Sequence, residues 1–330
     1  MTNLREDINY SIWCDFIERD FLENGFKSLI ENGIIHGATS NPAIFQQSIS
    51  NSTAYDSQIN MLQANDVKKI YEELAITDIK RAAQLLKPLY DRDANDGYIS
   101  LEVDPMLCND MMGTIEEGAR LHSSIGYENV MIKIPATQAG YGAMKELTAM
   151  GINVNATLIF SPDQATKCAQ ALNEGIQQSG KDTKGVVSIF VSRFDRMLDK
   201  ELTVNKLETG KVGIMNAVKC YHQIEKIENK NIRTLFASTG VKGDDLPASY
   251  YIDELIYPNC INTAPLNTIE VWTQEGSKTQ SDLISEAKCD EYFRKLKKYV
   301  DMNEVYNSLL QDGLSAFKVS FQELMKKIKL

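Results

Sequence analysis

The hexapeptide Val130-Met131-Ile132-Lys133-Ile134-Pro135 reads as a strand with two unlike faces. Side chains alternate along a strand, so Val130, Ile132 and Ile134 share one side and Met131 and Lys133 the other. The same split recurs along the chain. Ile99, Leu101 and Val103 oppose Ser100, Glu102 and Asp104; Val154, Ala156 and Leu158 oppose Asn153, Asn155 and Thr157. Val187, Ile189 and Val191 oppose Ser188, Phe190 and Ser192. An open parallel sheet covered by helices on both faces needs nearly continuous apolar strands. A two-faced set suits a closed barrel instead, with helices packed outside and polar groups converging within. Half-solvated antiparallel strands would share the pattern, but helix-like segments separate these strands.

Outward from that stretch, eight strand candidates follow one another. They are SIWCDF from Ser11, IIHGATS from Ile34, GYISLEV from Gly97, VMIKIP from Val130, INVNATLIF from Ile152, GVVSIFV from Gly185, RTLFAST from Arg233 and CINTAP from Cys260. Between them lie amphipathic segments. ERDFLENGFKSLIENG carries Phe21, Phe26, Leu29 and Ile30 at helical spacing and ends at Gly33. A long segment starts at Asp66 as N-cap and has Pro88 near its end, and SPDQATKCAQALNEGIQQSG opens on a Ser cap and stops at a Gly. Strand and helix in alternation predict an α/β fold, a (β/α)8 TIM barrel, with the doubly wound open sheet as runner-up. The expected organisation is one domain over residues 1–330, with additional helices from about 280 packed on the barrel.

The chain has 330 residues, 35 Lys plus Arg against 45 Asp plus Glu, and a formal net charge of −10. An acidic balance argues against nucleic-acid or anionic-membrane binding, both of which need a basic face. An anionic substrate would have to be met by a local basic cluster. No stretch approaches the roughly 18 apolar residues of a membrane span, and the N-terminus lacks a signal-like apolar run. Six scattered cysteines without a CxxC pair fit a reduced, cytoplasmic protein. Three histidines without ligand spacing give no zinc motif. The expectation is a metal- and cofactor-independent protein; its oligomeric state stays open, with a homodimer admitted.

Lys133 is the residue with the most chemical content. Lysine is almost never buried unless paired. It either snorkels from a strand edge or points into the barrel among Glu102, Asn155, Thr157 and Ser188. An enclosed polar setting can yield a neutral amine that attacks a carbonyl, which is Schiff-base chemistry. Such chemistry needs proton carriers, and Asp15 and Glu102 are the available carboxylates. Two readings of each stay open: Asp15 as acid/base or as the N-cap of the next helix, and Glu102 as proton carrier or as a structural partner of Lys133.

These residues sit in motifs that resemble the transaldolase family. GATSNPAIF from Gly37, ISLEVDP around Glu102, VMIKIPAT around Lys133 and NATLIFSPDQA from Asn155 carry the likeness, which extends through SIFVSRFD and FASTGVK. The resemblance implies a (β/α)8 barrel with no cofactor or metal and a Schiff-base lysine on the fourth strand, the position of Lys133. It implies Asp15 as the acid/base of aldol cleavage, and Glu102 with Thr157 as holders of a proton-relaying water. Asn41, Asn155 and Ser188 would bind the dihydroxyacetone hydroxyls. The implied reaction belongs to the non-oxidative pentose phosphate pathway: transfer of dihydroxyacetone from sedoheptulose 7-phosphate to glyceraldehyde 3-phosphate, giving erythrose 4-phosphate and fructose 6-phosphate.

For the substrate phosphate the likeness points to Arg193 and Ser238. Transaldolases commonly carry an arginine two residues after that serine; here Gly240 stands there, and Lys242 is the candidate replacement. Without a phosphate role, Arg193 would make a surface ion pair with Asp195 or a neighbour, of little energetic consequence. Phe190 is either a core aromatic or, by the same resemblance, a site residue. Relatives acting mainly as fructose-6-phosphate aldolases tend to have Gln and Tyr where this chain has Glu102 and Phe190. Two rivals accompany the transaldolase reading: such an aldolase, and a catalytically silent sugar-phosphate-binding barrel. GIQQSGKD from Gly175 fails as a P-loop, since Asp182 replaces the Ser/Thr and the run closes a helix.

Overall fold

The two-faced strands close on themselves. The computed structural model describes residues 3–243 and 245–329. Its strands are β1 (Ser11–Cys14), β2 (Gly37–Thr39), β3 (Tyr98–Glu102), β4 (Val130–Pro135), β5 (Asn153–Ile159), β6 (Gly185–Phe190), β7 (Ile232–Ala237) and β8 (Cys260–Ala264). Neighbours in sequence are parallel neighbours in space, and β8 pairs with β1 to complete a (β/α)8 barrel. The apolar faces read from sequence, including Ile99, Leu101, Val130, Ile132, Ile134, Val154, Ala156, Val187 and Ile189, pack into the layer beneath the helices.

Local signals start and stop those helices where the chain suggests. The Asp66 carboxylate accepts from the Lys69 amide at 3.0 Å and caps Val67–Arg92. That helix runs over Pro88 and two residues beyond Tyr90. Ser161 and Gln164 form a reciprocal capping box on Pro162–Ser179, which Gly180 ends at φ 63°. The segment after β1 departs from the regular helix expected. Glu18 caps it, and a wide i→i+5 turn spans Leu22–Phe26. The turn buries Leu22 with Phe26 and leaves Phe21, Leu29 and Ile30 half-buried.

A second departure lies on β5. Pairing with β6 slips between Ala156 and Ile159, and Leu158 sits at φ 56°. The extra residue reverses the alternation. Leu158 therefore leaves the helix-facing set, which Ile159 continues, and joins the cluster of Phe160, Phe190 and Phe317.

The additional C-terminal helices are Glu286–Leu296 and Met302–Lys329. The longer one passes over the C-terminal rim of the barrel. Tyr306 meets Phe194 edge-on at 5.9 Å between ring centroids, and Phe321 meets Tyr71 at 5.4 Å. Among the described residues no helix is long and apolar enough to cross a membrane.

Inside the barrel, Trp13, Tyr98, Met131, Val186, Leu235 and Ile261 make an apolar floor. Arg233 closes the N-terminal end below it. Its terminal nitrogens donate to Asn95 O (2.9 Å), Asn9 O (2.7 Å), Cys260 O (3.0 Å) and Ser11 Oγ (3.1 Å). Arg233 is 4% exposed, and Asp96 lies 3.9 Å away. Removing one member of a buried charged network costs about 3–5 kcal/mol, because its partners stay buried and unpaired. Urea unfolding of Arg233→Leu should show a loss of that order. Residual folded protein should keep its catalytic-end properties, since the network lies below the floor.

Candidate active site

Strand register sets the site. Glu102 pairs in register with Lys133, Lys133 with Asn155, and Pro135 with Thr157. Three neighbouring strands therefore present a carboxyl, an amine and an amide at one level of the barrel interior. Lys133 is 5% exposed and does not snorkel. Its Nζ donates to the Ser40 carbonyl at 3.1 Å and lies 3.7 Å from Glu102 Oε2, beyond hydrogen-bond reach.

The remaining polar groups form a linked girdle. Ser40 Oγ donates to the Ser100 carbonyl at 2.7 Å. Asn155 Nδ2 donates to Ser100 Oγ at 3.0 Å, and Ser188 Oγ donates to Asn155 Oδ1 at 2.6 Å. Each member fixes the next, so the inward groups are oriented before any ligand arrives. Glu102 Oε2 and Thr157 Oγ1 are buried and have no hydrogen-bond partner among the described residues. Buried polar atoms without partners are rare, and such atoms are what a reactant or bound water would engage.

Burial pushes the Glu102 carboxyl up to about 7; the Lys133 charge pulls the other way, and Asp15 adds to the rise. A carboxyl poised there can hold or release a proton at neutral pH.

Asp15 follows β1 and is not the N-cap of the next helix, a role that Glu18 fills. Its amide donates to the Ala264 carbonyl at 2.9 Å, and its Oδ1 accepts from Thr39 Oγ1 at 2.6 Å. Cys14 beside it is fully buried, and burial together with the Asp15 charge raises its thiol pKa, as suits a core side chain.

Asn41 caps the helix Pro42–Asn51, its Oδ1 accepting from the Ile44 amide at 3.0 Å. That bond engages the carbonyl oxygen and leaves the amide nitrogen. Phe190 is buried against Phe160, with ring centroids 5.2 Å apart. Arg193 opens the helix after β6, its guanidinium carbon 5.2 Å from the Phe190 ring centroid. It makes no ion pair with Asp195. That carboxylate is buried elsewhere, accepting from the Gly213 amide at 3.1 Å and the Tyr251 hydroxyl at 2.8 Å. Burial holds the Arg193 guanidinium below its ordinary pKa, and Arg196 adds to the effect.

Ser238 follows β7 at φ 56°, its hydroxyl 3.1 Å from that of Ser192. The structure does not join Lys242 to this group; it is exposed in the loop after β7. Asp104, expected on the same face as Glu102, lies past the strand end and pairs with Lys68 at 2.7 Å.

An inward lysine on the fourth of eight strands, with carboxyls on the first and third, is an arrangement suited to imine chemistry. A sequence model described as transaldolase/fructose-6-phosphate aldolase matches residues 12–328. The chain belongs to this family. A Campylobacter jejuni protein named transaldolase is 46% identical over 97% of this chain and 99% of its own length. A Helicobacter pylori transaldolase is 43% identical over 96% and 98% of the two chains.

Thr39, Ser40 and Thr263 join the site without being among the sequence candidates. Thr39 and Ser40 stand beside Asn41 in the GATSNPAIF run, and Ser100 shares the inward face two residues before Glu102.

The raised Glu102 pKa has a consequence for stability. The folded state holds this proton more tightly than the unfolded chain, so stability is greatest below the ordinary carboxyl pKa and falls as pH rises toward 7. Relative to Glu102→Gln, the wild type should lose on the order of 3 kcal/mol between pH 4.5 and 7 in denaturant titrations. A parallel pH dependence in the two proteins would contradict the placement of that proton.

Proposed function

We propose that this chain is a transaldolase that carries dihydroxyacetone as an imine on Lys133. One observation carries the reading: Lys133 is buried at the centre of the barrel with a single carbonyl as hydrogen-bond acceptor and a carboxyl of raised pKa beside it. The neutral amine would add to the ketone carbon of a ketose phosphate. Loss of the carbinolamine hydroxyl as water then gives a protonated imine.

Glu102 and Thr157, whose Oε2 and Oγ1 have no partner among the described residues, are suited to hold the water through which protons move in this step. Asp15 would take the proton from the substrate hydroxyl one carbon beyond the bond that breaks. The bonding electrons pass into the imine as the aldehyde leaves, and an enamine of dihydroxyacetone remains on Lys133. Addition of that enamine to an acceptor aldehyde, followed by hydrolysis, reverses each transfer. Asn41, Asn155 and Ser188 would hold the hydroxyls of the three-carbon unit. Arg193 and Ser238 would meet the phosphate, with Lys242 as a more distant cation. The substrates are then sedoheptulose 7-phosphate with glyceraldehyde 3-phosphate, or fructose 6-phosphate with erythrose 4-phosphate in reverse. We also infer a cytoplasmic location, supported by six free and buried cysteines.

Borohydride added with fructose 6-phosphate should fix a three-carbon adduct, and peptide mapping should find it on Lys133. Lys133→Met should give no adduct and a loss of turnover of at least a thousandfold, as removal of a covalent nucleophile does. Activity that survives this substitution would exclude the mechanism. With erythrose 4-phosphate present, sedoheptulose 7-phosphate should accumulate. Release of free dihydroxyacetone as the main product would instead favour the aldolase reading.

Arg193→Leu should raise KM for the phosphorylated donor about tenfold or more, through loss of a charge-assisted contact. Turnover of an unphosphorylated ketose should change little.

A further inference from the structure

We propose that Thr39 and Thr263 act in series as positioning residues for Asp15. The inference rests on the reading of Asp15 as the proton acceptor and adds what holds it in place. Strand β1 lies between β2 and β8, so the residue that follows it is flanked by both. On the β2 side, Thr39 Oγ1 stands 2.6 Å from Asp15 Oδ1. On the β8 side, Thr263 Oγ1 stands 2.8 Å from Thr39 Oγ1. Thr39 is 1% exposed and Thr263 4%.

Proton counting fixes the direction of this chain. A threonine hydroxyl has one hydrogen. The carboxylate can only accept, and 2.6 Å is a typical length for a hydroxyl donating to a charged oxygen. Thr39 therefore spends its hydrogen on Asp15. The contact between the two threonines then requires Thr263 to donate to Thr39. Two hydroxyls aligned in this way polarise one another, so the inner bond is stronger than it would be alone.

The geometric effect falls on Asp15. Its amide is bonded to the Ala264 carbonyl on β8 and its Oδ1 to Thr39, which fixes the plane of the carboxyl. Oδ1 is taken by Thr39, while among the described residues no hydrogen bond engages Oδ2. That oxygen is left as the acceptor for the substrate hydroxyl. Next to Thr263, the Thr239 hydroxyl shares its one hydrogen between Asn262 Oδ1 at 2.8 Å and the Thr263 carbonyl at 3.0 Å. Threonine suits both places: its methyl fills strand space, its χ1 is restricted, and its hydroxyl is aimed along the ring of strands.

The prediction separates positioning from bulk structure. Thr39→Val keeps shape and removes the hydroxyl. It should lower kcat on the order of ten- to a hundredfold, as a displaced catalytic group does. KM should hold, and borohydride trapping of the donor on Lys133 should persist, because imine formation precedes the step that uses Asp15. Thr39→Ser should restore most of kcat. Thr263→Val should cost several-fold alone and nothing further in the Thr39→Val background, because it acts only through Thr39. Thermal unfolding of each variant confirms that the fold is kept.

Equal kcat in Thr39→Val and Thr39→Ser, or additive losses in the double variant, would overturn the series arrangement. Asp15→Asn isolates the underlying assignment. If it keeps turnover, the acid/base reading of Asp15 fails. If it abolishes turnover while Thr39→Val does not, only the positioning role fails.

Discussion

The constraint behind this structure is that an amine and a carboxyl must lie together out of water. At 3.7 Å, two unit charges in an effective dielectric of about 20 attract by about 4 kcal/mol. Removing both from water costs several kcal/mol for each. Lys133 and Glu102 therefore do not hold the barrel together; the barrel holds them. Closure of β8 on β1 removes the sheet edges, the apolar floor excludes water from below, and the helix-facing layer supplies the burial that the interior gives up. The raised Glu102 pKa is the local trace of that conflict.

The two ends of the barrel resolve buried charge in opposite ways. At the N-terminal end the Arg233 guanidinium is surrounded by three carbonyls and a hydroxyl. At the level of Lys133 the side-chain nitrogen has one carbonyl, and Glu102 Oε2 and Thr157 Oγ1 on the neighbouring strands lack partners among the described residues. A guanidinium that donates to four acceptors is structural because any movement breaks several bonds, even though its Nε has no partner among the described residues. A nitrogen with one acceptor has bonding capacity for a reactant. The contrast marks the C-terminal end as the chemical one, in keeping with where barrels of this kind place their sites.

Period-two alternation made much of this legible in sequence. It put Glu102, Lys133, Asn155, Thr157 and Ser188 on one inward face before any strand order was known. It failed where one residue changes the count: the bulge at Leu158 reverses a face, and no residue type there announces a positive φ. It was silent on contacts that exist only because the ring closes. Thr39 and Thr263 are 224 positions apart, and only the β1–β8 pairing makes them neighbours across Asp15. The alternative pairing of Arg193 with Asp195 fails for a different reason. Residues two apart on a helix point to different sides, so the helix after β6 sends Asp195 to Tyr251 and leaves Arg193 on the rim. Asn41 shows that a ligand candidate can also be a cap, because one amide offers two separate functions.

That rim bears on how an acidic chain could meet the anionic substrate proposed for it. The net charge of −10 acts through water and salt and fades over a Debye length of about 8 Å at physiological ionic strength. A cation half-withdrawn from solvent is screened less than the surface acids around it. Arg193 is in that position, stacked near Phe190 and covered by the C-terminal helix. The covering depends on Gly313. A Cβ there would stand 2.9 Å from the Leu158 side chain and 3.3 Å from Arg193 Nη1. Glycine inside a long helix costs about 1 kcal/mol relative to alanine, and here it allows close approach of the helix to both residues. The bulge that misled the strand reading and the helix that lies outside the eightfold repeat thus meet at one arginine.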